Sequence, residues 1–70
     1  MIRTVLLTDD GKRIRGYLRT EGEPTRDDKL NLLGVEDGDP DALGRWQTVP
    51  DHPAYGDDVD LKTAEAAANK

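Results

Sequence analysis

The chain contains no cysteine and no phenylalanine, and its 70 residues include only one tryptophan and one methionine. Without cysteine, neither a disulfide nor a thiolate metal site can stabilise a small domain. No apolar run is long enough to cross a membrane, and the N-terminus lacks the basic and apolar regions of a secretory signal. We therefore expect a soluble chain that is not secreted.

The charge of the chain limits its core. Charged residues make up 36% of the sequence and the net charge is −5, which leaves few apolar side chains to bury. A chain of this length also buries a smaller fraction of its surface than a larger protein does, so its own core provides marginal stability. Such proteins are commonly stabilised by a partner or by self-association. We therefore expect the chain to be ordered on a larger protein assembly or as a homo-oligomer.

Two short runs rich in β-branched and aliphatic residues flank the turn sequence Asp9-Asp10-Gly11. An Asp-Gly pair between alternating runs is the strongest short-range signal for a β-hairpin. The sequence therefore predicts a hairpin with strands over residues 2–8 and 12–20. Gly11 is expected to take a positive φ angle, since glycine adopts that conformation at low steric cost.

Two registers of this hairpin are compatible with the sequence. The favoured three-residue loop pairs Leu6 with Ile14. The alternative two-residue turn pairs Leu7 with Ile14. In both registers Ile14, Gly16 and Leu18 share one face of the ribbon. The opposite face then carries Arg13, Arg15, Tyr17 and Arg19.

A third strand is expected to complete the sheet. Residues 21–28 are polar and contain glycine and proline, so they predict a loop. Residues 29–36 place leucines at nearly alternating positions, which favours a strand that pairs with the hairpin. Residues 1–36 are therefore predicted to form an antiparallel β unit.

The second half of the chain is expected to contain less regular structure. Residues 37–56 include three prolines and three glycines, and we predict a long extended arm there. Residues 57–70 predict a short helix that Asp57 or Asp58 can cap. The predicted fold is thus mainly β, with a small antiparallel sheet, a long arm and a short C-terminal helix.

No catalytic or metal-binding motif is recognisable. The acidic residues 36–41 resemble the start of an EF-hand loop, but positions six and twelve, counted from Asp37, are Ala42 and Thr48 instead of glycine and glutamate. His52 adjoins a carboxylate, yet the chain has neither cysteine nor serine to serve as a nucleophile beside it. We expect a protein that is not an enzyme and that uses no cofactor or metal.

The arginine-rich strand face and two aromatic residues are the best candidates for contacts with a partner. Arginine, tyrosine and tryptophan are enriched at protein interfaces. The same face is suited to phosphate, but the net charge of −5 opposes attraction to nucleic acid. A solvated strand edge is a further interpretation, and the two aromatics either cap a small core or anchor in a partner's pocket. The predicted partner-binding residues are Arg13, Arg15, Tyr17, Arg19, Trp46 and Tyr55.

Residues 5–18, followed by Asp27 and Leu30-Asn31-Leu32, resemble the first sequence motif of the Sm-like family. The resemblance lies in an apolar strand, an Asp-Gly turn, a Gly-x-Leu strand and an Asp-x-x-apolar-Asn strand. It implies a small, strongly bent β-barrel, usually in a ring, that binds RNA. It also implies that Asp27 and Asn31 lie near a base pocket.

These features favour a non-catalytic accessory subunit of a larger protein assembly. The specific expectation is a virion protein of tailed-phage type, a capsid decoration protein or minor capsid protein that docks on the major capsid protein. Fifteen acidic residues support a second interpretation, a small acidic inhibitor of a host protein that binds nucleic acid. An Sm-like RNA-binding module is the third interpretation.

Overall fold

The computed structural model describes residues 1–69, which form three strands and three helices. In chain order these are β1 (Ile2–Leu7), β2 (Ile14–Thr20), α1 (Arg26–Leu33), α2 (Pro40–Leu43), β3 (Arg45–Val49) and α3 (Leu61–Ala68). The strands form an antiparallel sheet in the order β2-β1-β3, so β1 is central and the other two are edge strands. The predicted small antiparallel sheet and short C-terminal helix are confirmed.

The turn of the N-terminal hairpin is held by Asp10 and Gly11. Gly11 takes the predicted positive φ, 73°, and its N–H donates to the carbonyl of Thr8 at 2.8 Å. The Asp10 carboxylate accepts hydrogen bonds from the Thr8 hydroxyl and from the Lys12 N–H. The Thr8 N–H then donates to the carbonyl of Arg13 at 2.9 Å. These bonds close a longer loop than the three-residue loop that the sequence favours.

The register of the hairpin therefore differs from the favoured one. Leu7 pairs with Ile14, as in the two-residue alternative, but Leu6 pairs with Gly16. Arg15 is the extra residue on β2 between these two pairs, which makes a β-bulge.

The bulge changes which face of the sheet the side chains of β2 occupy. Cross-strand partners share a face, so Ile14 lies with Leu7, opposite Gly16 and Leu18. The prediction that Ile14, Gly16 and Leu18 share one face is wrong, because one inserted residue moves all later side chains to the other face. Tyr17 consequently lies on the same face as Ile14.

The two faces are covered by different parts of the chain. We call residues 50–69 the C-terminal segment or arm, and the face that carries Ile14 the arm face, because this segment packs on it. Its buried core comprises Val5, Leu7, Ile14, Val49, Tyr55 and Ala64. We call the other face the helix face, because α1 packs on it. There Gly16 leaves room for Leu32, whose Cδ1 would lie only 3.1 Å from a Cβ at that position.

Residues 29–36, predicted as a strand, belong mostly to helix α1, and that prediction is wrong. The Thr25 hydroxyl accepts from the Asp28 N–H at 3.1 Å, and the Asp28 carboxylate accepts from the Thr25 N–H at 3.2 Å. This capping box starts a helix. Gly34 ends it with a left-handed φ of 76°. Both signals are local, and together they outweigh the alternation of the leucines.

The third strand comes instead from the region predicted as an extended arm. β3 follows α2 directly and pairs with β1, where Trp46 lies opposite Leu6. Gly44 permits the close approach, because a Cβ there would lie 2.6 Å from Leu6 Cδ1. The prediction of an arm without regular structure over residues 37–56 is therefore wrong in its central part.

The C-terminal helix starts later than predicted, because Asp60 caps it in place of Asp57 or Asp58. The Asp60 carboxylate accepts from the backbone N–H three residues further on, at 3.2 Å. Asp58 has a φ of 63°, and its N–H donates to the carbonyl of Ile14 at 2.9 Å. The segment before α3 is thus held against the hairpin. Lys70, the last residue of the predicted helix, lies outside the described residues.

Candidate protein-interaction surface

Two of the three predicted arginines on the hairpin contact the C-terminal segment. The Arg13 guanidinium donates to the carbonyl of Asp58. Arg19 donates from Nε and Nη2 to the two carboxylate oxygens of Asp51 at 2.9 and 3.0 Å. Arg15, the bulge residue, is exposed. Arg13 and Arg19 thus hold the C-terminal segment against the hairpin.

Arg3, Asp51 and Arg19 form an ion cluster on the arm face. Arg3 is 8% exposed, and its guanidinium donates to the Tyr55 carbonyl at 3.0 Å and to Asp51 at 3.3 Å. It also lies 4.6 Å from the centre of the Tyr17 ring, a cation–π distance. The hydrogen bond from Arg19, aided by the charges of both arginines, holds the pKa of Asp51 below its ordinary value of 3.8, although burial acts to raise that pKa. The cluster ties the start of the arm to the sheet.

The two predicted aromatic residues have different environments. Tyr55 is buried in the core of the arm face, as in the core-cap interpretation of the sequence. Trp46 is half-buried on the helix face, and its indole N–H donates to the carbonyl of Pro40 at 2.8 Å. Lys29 Nζ lies 5.5 Å from the centre of the Trp46 ring. The predicted site residues therefore divide between two faces of the sheet and do not form one surface.

At the β2 edge of the sheet, the C-terminal segment covers the start of the strand. Ile14 donates its N–H to the carbonyl of Val59 at 2.9 Å and accepts from the Asp58 N–H. Further along β2, the edge carries the bulge at Arg15 and the exposed side chain of Arg19. Bulges and charged side chains are the usual means of discouraging the addition of another strand.

The backbone of β3 can be oriented from these contacts. Hydrogen-bonding directions alternate along a strand in an antiparallel sheet. Because Ile14 directs its N–H and C=O away from β1, its partner Leu7 directs its own groups towards β3, where it faces Arg45. The alternation then directs the backbone groups of Trp46 and Thr48 outward, away from the sheet.

The β3 edge is open. Within residues 1–69, no hydrogen bond reaches the outward N–H and C=O groups of Trp46 and Thr48. β3 spans five residues without a proline, its pairing with β1 has no bulge, and Arg45 is its only charged residue. The outer edge of this strand therefore carries two donors and two acceptors that no other described residue pairs.

A cleft of about 280 Å³ adjoins β3 on the helix face. Its wall includes Thr4 of the central strand, which is 3% exposed and whose hydroxyl has no hydrogen-bond partner among residues 1–69. Lys29 of α1 contributes an ammonium that the Asp41 carboxylate binds at 3.0 Å. The side chains that give the cleft its chemistry are Thr4, Glu23, Lys29, Asp41, Trp46 and Thr48.

Sequence reasoning identifies only Trp46 among these residues. Thr4 is the one polar uncharged residue within β1, and a polar side chain inside an apolar run is a signal that could have drawn attention to it. Glu23, Lys29 and Thr48 carry no such signal. They meet because α1 and the loop before it lie on the helix face, where β3 places the Thr48 side chain, and the sequence pattern predicts neither α1 nor β3 correctly.

The residues considered for metal or catalytic chemistry have structural contacts. Within residues 1–69, no group of three or more histidine, aspartate or glutamate side chains could hold a metal ion. The hydrogen bond from Arg26 to Asp37, at 2.7 Å, lowers the pKa of that carboxyl. Asp39 caps α2. His52 Nδ1 accepts from the Ala54 N–H at 3.0 Å.

The residues named by the Sm-like resemblance, Asp27 and Asn31, lie at exposed positions of α1 and not on a strand. None of the helices in the described part of the chain has the length and apolar character that crossing a membrane requires.

The chain was compared with models of protein families, with curated proteins and with solved structures, and none of these comparisons found a significant match. The function proposed below therefore rests on the geometry of the β3 edge and of the adjoining cleft.

Proposed function

We propose that this protein is a non-catalytic accessory subunit that docks on a larger protein assembly through the open edge of β3. The observation that carries the proposal is the outward direction of the backbone groups of Trp46 and Thr48, which have no partner within residues 1–69. An extended segment of the partner adds a fourth strand to the sheet. The main-chain hydrogen bonds of this strand provide affinity.

The difference between the two edges supports this role. An open edge strand in a protein that stays alone invites uncontrolled pairing with other chains. The chain uses Asp58 and Val59 to cover the start of β2, but nothing comparable within residues 1–69 pairs with the outer edge of β3. An edge that is covered in the working complex accounts for this asymmetry.

The assembly that we propose is a virion of tailed-phage type, in which the chain is a decoration protein or minor capsid protein bound to the major capsid protein. A length of 70 residues and a docking edge on a small sheet support this form. The second candidate is a small acidic inhibitor of a nucleic-acid-binding protein. It is supported by the net charge of −5 and by exposed carboxylates in the loop from Glu36 to Asp39.

Site-specific photo-crosslinking tests the docking edge. A photoreactive phenylalanine analogue replaces Thr48, and the matched control carries it at Ala67, an exposed position of α3. Both variants are produced in the cells that make the protein naturally. We expect a covalent adduct with one identified protein from the Thr48 position and none with that protein from Ala67. Equal adducts from both positions would contradict docking at β3. Adducts with copies of this chain alone would contradict docking on a larger assembly.

Mass analysis of the intact complex then separates the two candidates. Many symmetric copies on one shell protein support the virion component. A complex of one copy with one nucleic-acid-binding protein, weakened by salt, supports the inhibitor instead.

A further inference from the structure

The cleft on the helix face contains two polar groups that the fold leaves unpaired. The Thr4 hydroxyl is buried without a hydrogen-bond partner in the described part of the chain. The Glu23 carboxylate is exposed and makes no ion pair within residues 1–69. Buried polar groups are normally hydrogen-bonded, because leaving one unpaired costs free energy. A ligand that donates to both groups would supply what the chain itself does not.

The charges in the cleft decide whether a cationic or an anionic ligand is favoured. Lys29 and Asp41 neutralise each other at 3.0 Å, so Glu23 leaves a net negative charge. The face of the Trp46 ring also attracts cations, and Lys29 Nζ lies 5.5 Å from its centre. An anionic guest would face two carboxylates. The cleft therefore favours a cationic group that donates hydrogen bonds.

We propose that the cleft binds the guanidinium group of an arginine on the partner strand that pairs with β3. This inference rests on the proposed docking edge. A residue opposite Thr48 has its side chain on the same face of the sheet as Thr48, and this is the helix face, where the cleft lies. The planar guanidinium stacks on the Trp46 ring in place of the Lys29 ammonium, which stays paired with Asp41, and it still has donors for the Thr4 hydroxyl and the Glu23 carboxylate. A lysine ammonium has no plane to stack.

Binding of a guanidinium group can be tested without the partner. Trp46 is the only tryptophan, so its indole N–H gives a single signal that reports on the cleft. The probe is N-acetyl-arginine amide, titrated into the full chain while the indole N–H signal of Trp46 is followed by NMR. We expect a saturable shift. N-acetyl-citrulline amide, which has the same shape without the charge, should give no saturation, and N-acetyl-lysine amide should bind more weakly than the arginine probe.

Two variants and a matched control test whether the NMR shift arises from binding in the cleft. Glu23→Gln should weaken binding of the arginine probe about tenfold, the effect of losing one charge-assisted hydrogen bond. Thr4→Val should weaken it by a smaller factor while the chain stays folded. Glu21→Gln removes an exposed carboxylate of the same loop that does not line the cleft, and it should change nothing.

Three outcomes would overturn the inference: no saturable shift, equal binding of the citrulline probe, or equal effects of Glu21→Gln and Glu23→Gln. These failures are distinct from failure of the docking edge. If the Thr48 adduct forms but the arginine probe does not bind, β3 is the docking edge and the guanidinium assignment alone is wrong. If the adduct fails and the probe binds, the docking edge is wrong.

Discussion

The two edge strands of this sheet differ in how the chain protects them. β2 has a bulge at Arg15, exposed arginine side chains and backbone pairing of Ile14 with Asp58 and Val59. β3 has none of these features within the described residues, apart from Arg45 at its first position. The comparison indicates that the C-terminal segment closes one edge and one face of the sheet. The described residues leave the other edge without backbone pairing.

The largest expected effect comes from weakening the contact between β2 and the C-terminal segment. Ile14 is 1% exposed, and its backbone holds the C-terminal segment. Ile14→Ala should lower the free energy of unfolding by about 2–5 kcal/mol, because it leaves a cavity in the core of the arm face. Urea unfolding measures the change. Leu43→Ala, at an exposed position, is the control and should change it by less than about 0.5 kcal/mol.

If Ile14→Ala does not fold, Ile14→Val provides a milder test. It should cost about 1 kcal/mol. A loss no larger than that of the Leu43 control would mean that the C-terminal segment does not depend on Ile14, and the contrast between the edges would lose its basis.

A pair of proline substitutions tests the orientation of β3. Gln47→Pro removes an N–H that donates to β1, so it should cost about 1–3 kcal/mol in free energy of unfolding. Thr48→Pro removes an N–H that points outward, so it should cost less than about 1 kcal/mol, because proline is tolerated at such edge positions. Thermal unfolding of both variants gives the comparison. If Thr48→Pro lowered the free energy of unfolding more than Gln47→Pro, the N–H of Gln47 and not that of Thr48 would point outward.

The smallest effect concerns the ion cluster that fastens the arm. The pKa of Asp51 is lowered in the folded chain by the hydrogen bond from Arg19. A lowered carboxyl pKa contributes stability above the unfolded pKa and loses it as the pH falls through the folded pKa. The unfolding temperature should therefore fall as the pH drops through and below 3.8, the ordinary pKa of an aspartate carboxyl. In Asp51→Asn this dependence should be weaker.

The pKa values of Asp10 and Asp37 are lowered as well, by hydrogen bonds from Thr8 and Arg26 respectively, so some pH dependence should remain in that variant. Asp57→Asn, which removes an exposed carboxyl, is the matched control and should keep the full dependence. If Asp51→Asn and Asp57→Asn give the same curve, the cluster does not fasten the arm.

Local signals in the sequence account for the parts of the fold that were predicted correctly. Asp10 and Gly11 specify the hairpin turn through one side-chain cap and one positive φ angle. The capping box at Thr25 and Asp28 and the stop at Gly34 are equally local, so α1 was within reach of prediction. The alternation of three leucines indicated a strand instead. That pattern is ambiguous over a short run.

The bulge at Arg15 and the pairing of β3 were beyond such reasoning. A bulge depends on how two strands twist against each other, and no single residue encodes it. Trp46 pairs with Leu6 across most of the chain, and its strand has no local turn signal joining it to β1. The candidate site could not be predicted for the same reason. Thr4, Lys29 and Thr48 come together only when β3 pairs with β1 and α1 packs on the helix face.

By itself, the sequence determined the hairpin, the positive φ angle at Gly11 and the negative charge of the surface, and it carries the local capping signals of α1 that the leucine pattern obscured. Each depends on neighbouring residues or on composition. Only the tertiary structure decided which residues share a face, which edge stays open and where the unpaired hydroxyl of Thr4 lies. The physical reason is that backbone pairing and burial join residues far apart in the chain.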